Sequence, residues 1–313
     1  MKLLLRLFLF YYHKMKKNPD YTKAKPKKVR AYNKAELDKV GDLIDDKPLE
    51  MAKVSNQTIT VRDGSTIPIR IYTPDAEGPL PVIIFYHGGG FVTRSIDSHD
   101  RACRRLAFNN NATVVSVGYR LAPEFKFPIP VHDSYDAYQS VIDSIDYSAG
   151  LSVMGDSAGA NLATVVCILA KEAGTSKIDK QVLIYPVTDA TMSSPSIDKY
   201  AEGYLLTKDL MKWFVDHYKR DDADLTNPLM SPLFSDNLAG LPPAFVSTAG
   251  LDPLKDEGQA YAEKLAEMGV DVIYKDYPNV IHGFLNLPKI TRQANVRLHR
   301  DISAFLQKTS TAT

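Results

Sequence analysis

The chain has 313 residues, of which 44% are hydrophobic, a length that allows one large domain or two ordinary ones. Its 38 lysines and arginines against 37 aspartates and glutamates leave a net charge of +1, which gives no global field for a polyanion and argues against nucleic acid as a partner. Only Cys103 and Cys167 are present, both inside apolar helix-like stretches; a disulfide framework is excluded, and their spacing is not that of metal ligands.

The N-terminal "MKLLLRLFLFYYHKMKKNPDYTKAKPKK" is a short apolar block followed by a lysine-rich run. A membrane span needs about 20 apolar residues, so this block, interrupted by Arg6, is too short. It also lacks the small-residue cleavage site of a removed signal peptide. The leading expectation is a helix docked on the fold of a cytoplasmic protein. A segment making weak membrane-surface contact through Leu3 to Tyr12 and the lysines is the second, and an uncleaved export signal the third.

Residues 57–73, "QTITVRDGSTIPIRIYT", alternate apolar and polar side chains around Asp63-Gly64, a hairpin signal. Apolar β-rich runs follow at 82–86, 113–119, 151–154, 181–187, 244–250 and 271–277, with helical stretches between most of them. That alternation predicts a mostly parallel sheet covered on both faces. Residues 190–235 interrupt it with a helical excursion that includes a helix after Thr207, a good N-cap. A lid over the ligand-binding edge and an ordinary surface excursion are both open readings of it.

Two glycine-rich stretches carry chemistry. "FYHGGGF" (85–91) follows a strand, and three consecutive glycines serve either a tight turn or a backbone that must approach a ligand oxygen. In "GDSAG" (155–159), Gly155, Ser157 and Gly159 form G-x-S-x-G between a strand and a helix, the context in which a strained turn exposes a nucleophilic serine. A serine hydroxyl needs a base and an acid to orient that base, each just past a later strand. Asp252 in "LDPLKDEG" and His282 in "VIHGF" meet both requirements in the required order. Asp256 and Glu257 are rival acids, but they fall where a helix begins and complement its dipole. His13, His99, His132, His217 and His299 read as surface or helix-end residues. The glycines then gain a use, because an oxyanion formed at Ser157 needs N–H donors, for which Gly88, Gly89 and Ala158 are the candidates. His87 is expected to brace that loop.

With "HGGGF", "YRLAPE", "GDSAG", "GYLLT", "GLPPA", "DPLKDE" and "HGF" in this order, residues 57 to 305 resemble the hormone-sensitive-lipase-like family of α/β-hydrolase esterases. The resemblance implies an α/β-hydrolase fold with an eight-stranded, mostly parallel sheet flanked by helices under a helical cap. Residues 1–50 and 190–230 would form the cap, and residues 51–189 and 231–313 the two parts of the core. It implies Ser157 as nucleophile, His282 as base, Asp252 as its orienter, and Gly88, Gly89 and Ala158 as the oxyanion hole. No metal or organic cofactor is implied, and the state is a monomer or a homodimer joined through the last strand. The expected substrates are small esters with short to medium acyl chains, an apolar group that Tyr204, Leu205, Trp213 and Phe214 would suit. Support of the active-site loops through hydrogen bonds and a purely structural role are both open for Tyr119 and Glu124. Ala160, Lys255 and Phe125-Lys126 depart from the family's usual residues without removing a catalytic group. An amidase or formamidase using the same triad is the alternative function, and a non-catalytic ligand-binding hydrolase fold is a third.

Overall fold

The run Val-Ile-Ile-Phe-Tyr at 82–86 is buried along its whole length, as a central parallel strand must be when helices cover both its faces. The computed structural model describes residues 3–14, 20 and 23–308, so Lys16 and Lys17 of the N-terminal basic run lie outside the described residues. The N-terminal half contains α1 (Leu3–Lys14), α2 (Pro26–Ile44), β1 (Lys53–Thr60), β2 (Thr66–Thr73), β3 (Val82–Tyr86), α3 (Asp100–Asn110), β4 (Thr113–Val117) and α4 (Ile129–Ser144). There follow β5 (Leu151–Asp156), α5 (Ala158–Glu172), β6 (Lys180–Ile184), α6 (Pro195–Lys199), α7 (Lys208–Tyr218), β7 (Ala244–Leu251), α8 (Lys255–Glu267), β8 (Val272–Ile281) and α9 (Arg292–Gln307).

The eight strands form one sheet in the order β1-β2-β4-β3-β5-β6-β7-β8. β1 and β2 are the expected antiparallel hairpin, and β2 is antiparallel to β4. From β4 to β8 every neighbouring pair is parallel. The two-residue period of a strand divides the core between the faces. Ile84 and Tyr86 pack with Val153, Leu183 and Val246 on one side, whereas Ile83 and Phe85 pack with Met154, Val182 and Phe245 on the other. α5 is apolar almost all round and is buried accordingly. Cys103 and Cys167 are free and buried; burial pushes the Cys103 thiol up to about 12.

No strand interrupts residues 190–235. Thr207 caps α7 as expected, its Oγ1 accepting a hydrogen bond from the Leu210 N–H at 3.2 Å. α1 docks through Leu5 and Leu9, which are buried with Ile281 and Leu287. α2 is tied to the core by Arg30, which donates to the carbonyls of Val92 and Ala122 and to the carboxylate of Glu124. Glu124 therefore anchors α2, the structural one of its two open roles. Tyr119 does brace an active-site loop, donating to the His87 carbonyl at 2.6 Å.

Candidate active site

β5 ends at Asp156 and α5 begins at Ala158, so Ser157 alone makes the turn, at φ 56° and ψ −121°. A side-chain-bearing residue held at positive φ is strained, and such strain persists only where the surroundings fix it. The surroundings here are backbone. A Cβ on Gly155 would stand 2.2 Å from the Gly159 backbone, and one on Gly159 would stand 1.9 Å from the Tyr86 carbonyl oxygen. Both glycines of the motif are thus required by close approach.

Asp252 follows β7 and His282 follows β8, which brings residues far apart in sequence to the same sheet edge. His282 Nδ1 is 2.7 Å from Asp252 Oδ2 and Nε2 is 2.9 Å from Ser157 Oγ. The other Asp252 oxygen accepts from the Leu254 N–H at 2.9 Å. Donation from Nδ1 to the carboxylate fixes the tautomer and leaves the Nε2 lone pair facing the serine hydroxyl. The rival acids are engaged elsewhere. Asp256 accepts from the Ser196 N–H and Glu257 from the Thr188 N–H, and burial holds the Glu257 carboxyl well above the usual range.

The loop after β3 corrects one expectation. The Gly88 N–H donates to Asp156 Oδ1 at 2.8 Å, so it is committed inside the protein and does not face the site. The N–H groups of Gly89, Gly90 and Ala158 make no hydrogen bond among the described residues. Gly89 has φ 124° and Gly90 φ 60°, the region that favours glycine. His87 braces the loop as expected: it is buried, stacked on Tyr119 at 4.4 Å, and lowered to about 3 by burial and the neighbouring His99.

Asp156 and His99 were not legible as site residues. His99, expected at the surface or at a helix end, stands at the start of α3 but is buried, with Nε2 3.1 Å from Asp156 Oδ1. Tyr185 adds a hydroxyl 3.3 Å from Asp156 Oδ2. Burial raises the Asp156 pKa, but His99 and the Gly88 N–H outweigh it and hold the carboxyl below its ordinary value. This carboxylate, one residue before Ser157, therefore fixes the start of the glycine loop. His299 is likewise buried rather than exposed, its pKa lowered to about 3 by burial.

A cavity of about 720 Å³ opens over Ser157 and His282. Its walls include Leu37 and Gly41 of α2, Leu205 before α7, and Met211 and Phe214 of α7. The Phe214 ring covers Gly90, where a Cβ would lie 2.2 Å from the ring. Leu205 and Phe214 thus line the cavity as expected, whereas Trp213 and Tyr204 do not. Adjacent helical residues point about 100° apart, and Trp213 faces the segment before α2, donating from Nε1 to the Ala24 carbonyl at 3.0 Å. Tyr204 packs beside α1 and edge-on to Tyr200.

Comparison with known proteins agrees with this architecture. The sequence profile of a family described as having the alpha/beta hydrolase fold matches residues 83–286. An ethyl acetate hydrolase of Pseudomonas putida is 37% identical over 262 residues, covering 81% of this chain and 82% of that protein. Carboxylesterase NlhH of Mycobacterium tuberculosis is 35% identical with the same coverage of both chains. The crystallised hyperthermophilic esterase of the archaeon Pyrobaculum calidifontis superposes with a TM-score of 0.88 at 40% identity, over 98% of this chain and 99% of that one. The chain belongs to the α/β-hydrolase fold family, in the hormone-sensitive-lipase-like branch that its motifs indicated.

Proposed function

We propose that the protein is a serine carboxylesterase acting on short- to medium-chain acyl esters. The observation that carries this reading is the chain of contacts Ser157–His282–Asp252, at 2.9 and 2.7 Å, beside three N–H groups that have no partner among the described residues. His282 Nε2 takes the proton of Ser157 Oγ, which attacks the ester carbonyl. The N–H groups of Gly89, Gly90 and Ala158 then receive the oxyanion, Gly90 replacing the committed Gly88. His282 returns the proton to the departing alkoxide, leaving an acyl-enzyme. Water, deprotonated by the same imidazole, attacks the acyl carbon and releases Ser157 and the acid.

α1, α2, α6 and α7 act as the cap in this reading, with Leu205, Met211 and Phe214 offering an apolar wall for the acyl chain. The relatives named for ethyl acetate and carboxylic ester hydrolysis support the ester assignment over an amidase. The test is hydrolysis of p-nitrophenyl esters from acetate to palmitate beside matched anilides. The reading expects kcat/KM to peak at short to medium chains and to favour the ester; faster anilide cleavage would assign an amidase, and no turnover on any substrate would remove the enzymatic reading.

A further inference from the structure

α1 carries two apolar stripes, and its docking uses only one of them. Leu5 and Leu9 are buried against Ile281 and Leu287. Leu3, Leu4, Leu7, Phe10 and Tyr11 recur at helical spacing along another stripe and are 49% to 73% exposed. Five large apolar side chains on 12 residues form the kind of exposed patch that marks an interaction surface. The surrounding charge indicates which kind. Residues 1–30 contain ten lysines and arginines against one acid, Asp20, so the remaining 283 residues carry 28 against 36. Arg6 and Lys14 on α1 are exposed, as are Lys25, Lys27 and Lys28 around the start of α2. No helix among the described residues is long and apolar enough to cross a membrane, and an apolar helix with basic flanks is suited to lie in a lipid interface.

We infer that this face of α1 docks on an anionic lipid surface and holds the mouth of the active-site cavity against it. Tyr12, in the last turn of α1, lines that cavity, and so do Leu205 and Leu287, which pack with the docked stripe. The exposed stripe enters the acyl region while the lysines and arginines remain at headgroup level. An ester dissolved in the lipid then has a short path along apolar side chains to Ser157. The docking rests on α1 and the basic residues beside it, whereas the assignment of lipid-phase esters as substrates rests on the esterase reading.

The experiment is co-sedimentation of the full chain with phosphatidylglycerol and with phosphatidylcholine vesicles. Each protein is also assayed on a water-soluble short-chain ester and weighed by sedimentation equilibrium. Wild type should pellet with phosphatidylglycerol at low salt and less at about 1 M salt, where screening acts within about 3 Å. Leu7→Asp/Phe10→Asp should bind roughly a hundredfold more weakly, since burial of two large apolar side chains is lost. Arg6→Glu/Lys14→Glu should lose its preference for the anionic lipid. Neither variant touches the cavity wall, so both should keep the soluble-ester rate. Wild type left in the supernatant, or an apolar-face variant pelleting as well as wild type, overturns the proposal. So does a wild-type dimer that Leu7→Asp/Phe10→Asp dissociates, which would make a second copy the occupant. Vesicle binding without turnover of the soluble ester supports the docking and removes the lipid-ester assignment.

Discussion

Ser157→Ala should lower kcat for ester hydrolysis by about 10⁶, the scale on which loss of a triad nucleophile acts. The size follows from the unity of the group. With no hydroxyl, His282 has nothing to deprotonate in the first step, and the oxyanion donors can assist only attack by water. Stability should change little, because alanine removes one hydrogen bond, to His282 Nε2, and leaves the same backbone strain at φ 56°. Steady-state hydrolysis of the best p-nitrophenyl ester, read beside thermal melting, separates the two effects. A folded variant that retained a tenth or so of the wild-type rate would place the nucleophile elsewhere.

Gly159→Ala should have the largest effect on the fold of any single methyl addition. The new Cβ would lie 1.9 Å from the Tyr86 carbonyl oxygen and 2.7 Å from that of His87. Both are backbone atoms of β3 and the loop that follows it, so no side-chain rotamer relieves the overlap. Overpacking in a well-packed core typically costs about 1–3 kcal/mol, and a clash against the backbone of a central strand should exceed that range. The urea midpoint should fall at unchanged m-value if the protein still folds. Activity should be lost as well, because β3 delivers the glycine loop. Wild-type stability in this variant would mean that α5 does not approach β3 as closely as described.

Sequence pattern revealed the central sheet because its strands are buried on both faces and therefore read as unbroken apolar runs. Chain order with strand-end placement then isolated Asp252 and His282 from the rival acids Asp256 and Glu257 and from the other histidines. Pattern failed where tertiary contact decides. β8 runs on to Ile281 although Pro278-Asn279 resembles a turn, since Asn279 adopts φ 65° and the pairing with β7 shifts register near Ala249 and Leu251. The commitment of Gly88 to Asp156 joins residues 68 positions apart, and nothing local distinguishes Gly88 from Gly89 or Gly90. Trp213 and Phe214 are equally apolar neighbours, and only the position of Ala24 decides which one turns from the cavity. The N-terminal block read as a single apolar unit, whereas in space it presents one stripe to Ile281 and Leu287 and another to solvent.

The mechanism requires acyl transfer through Ser157. Its most direct test is rapid mixing of the protein with an activated ester, acid quench, and mass analysis of the intact chain and of the peptide spanning residues 151–171. One acyl group per chain, located on Ser157 and absent from Ser157→Ala, is the expected result. An acyl group on another residue, or steady turnover with none trapped on Ser157 even when deacylation is slowed by a bulky ester, would contradict it.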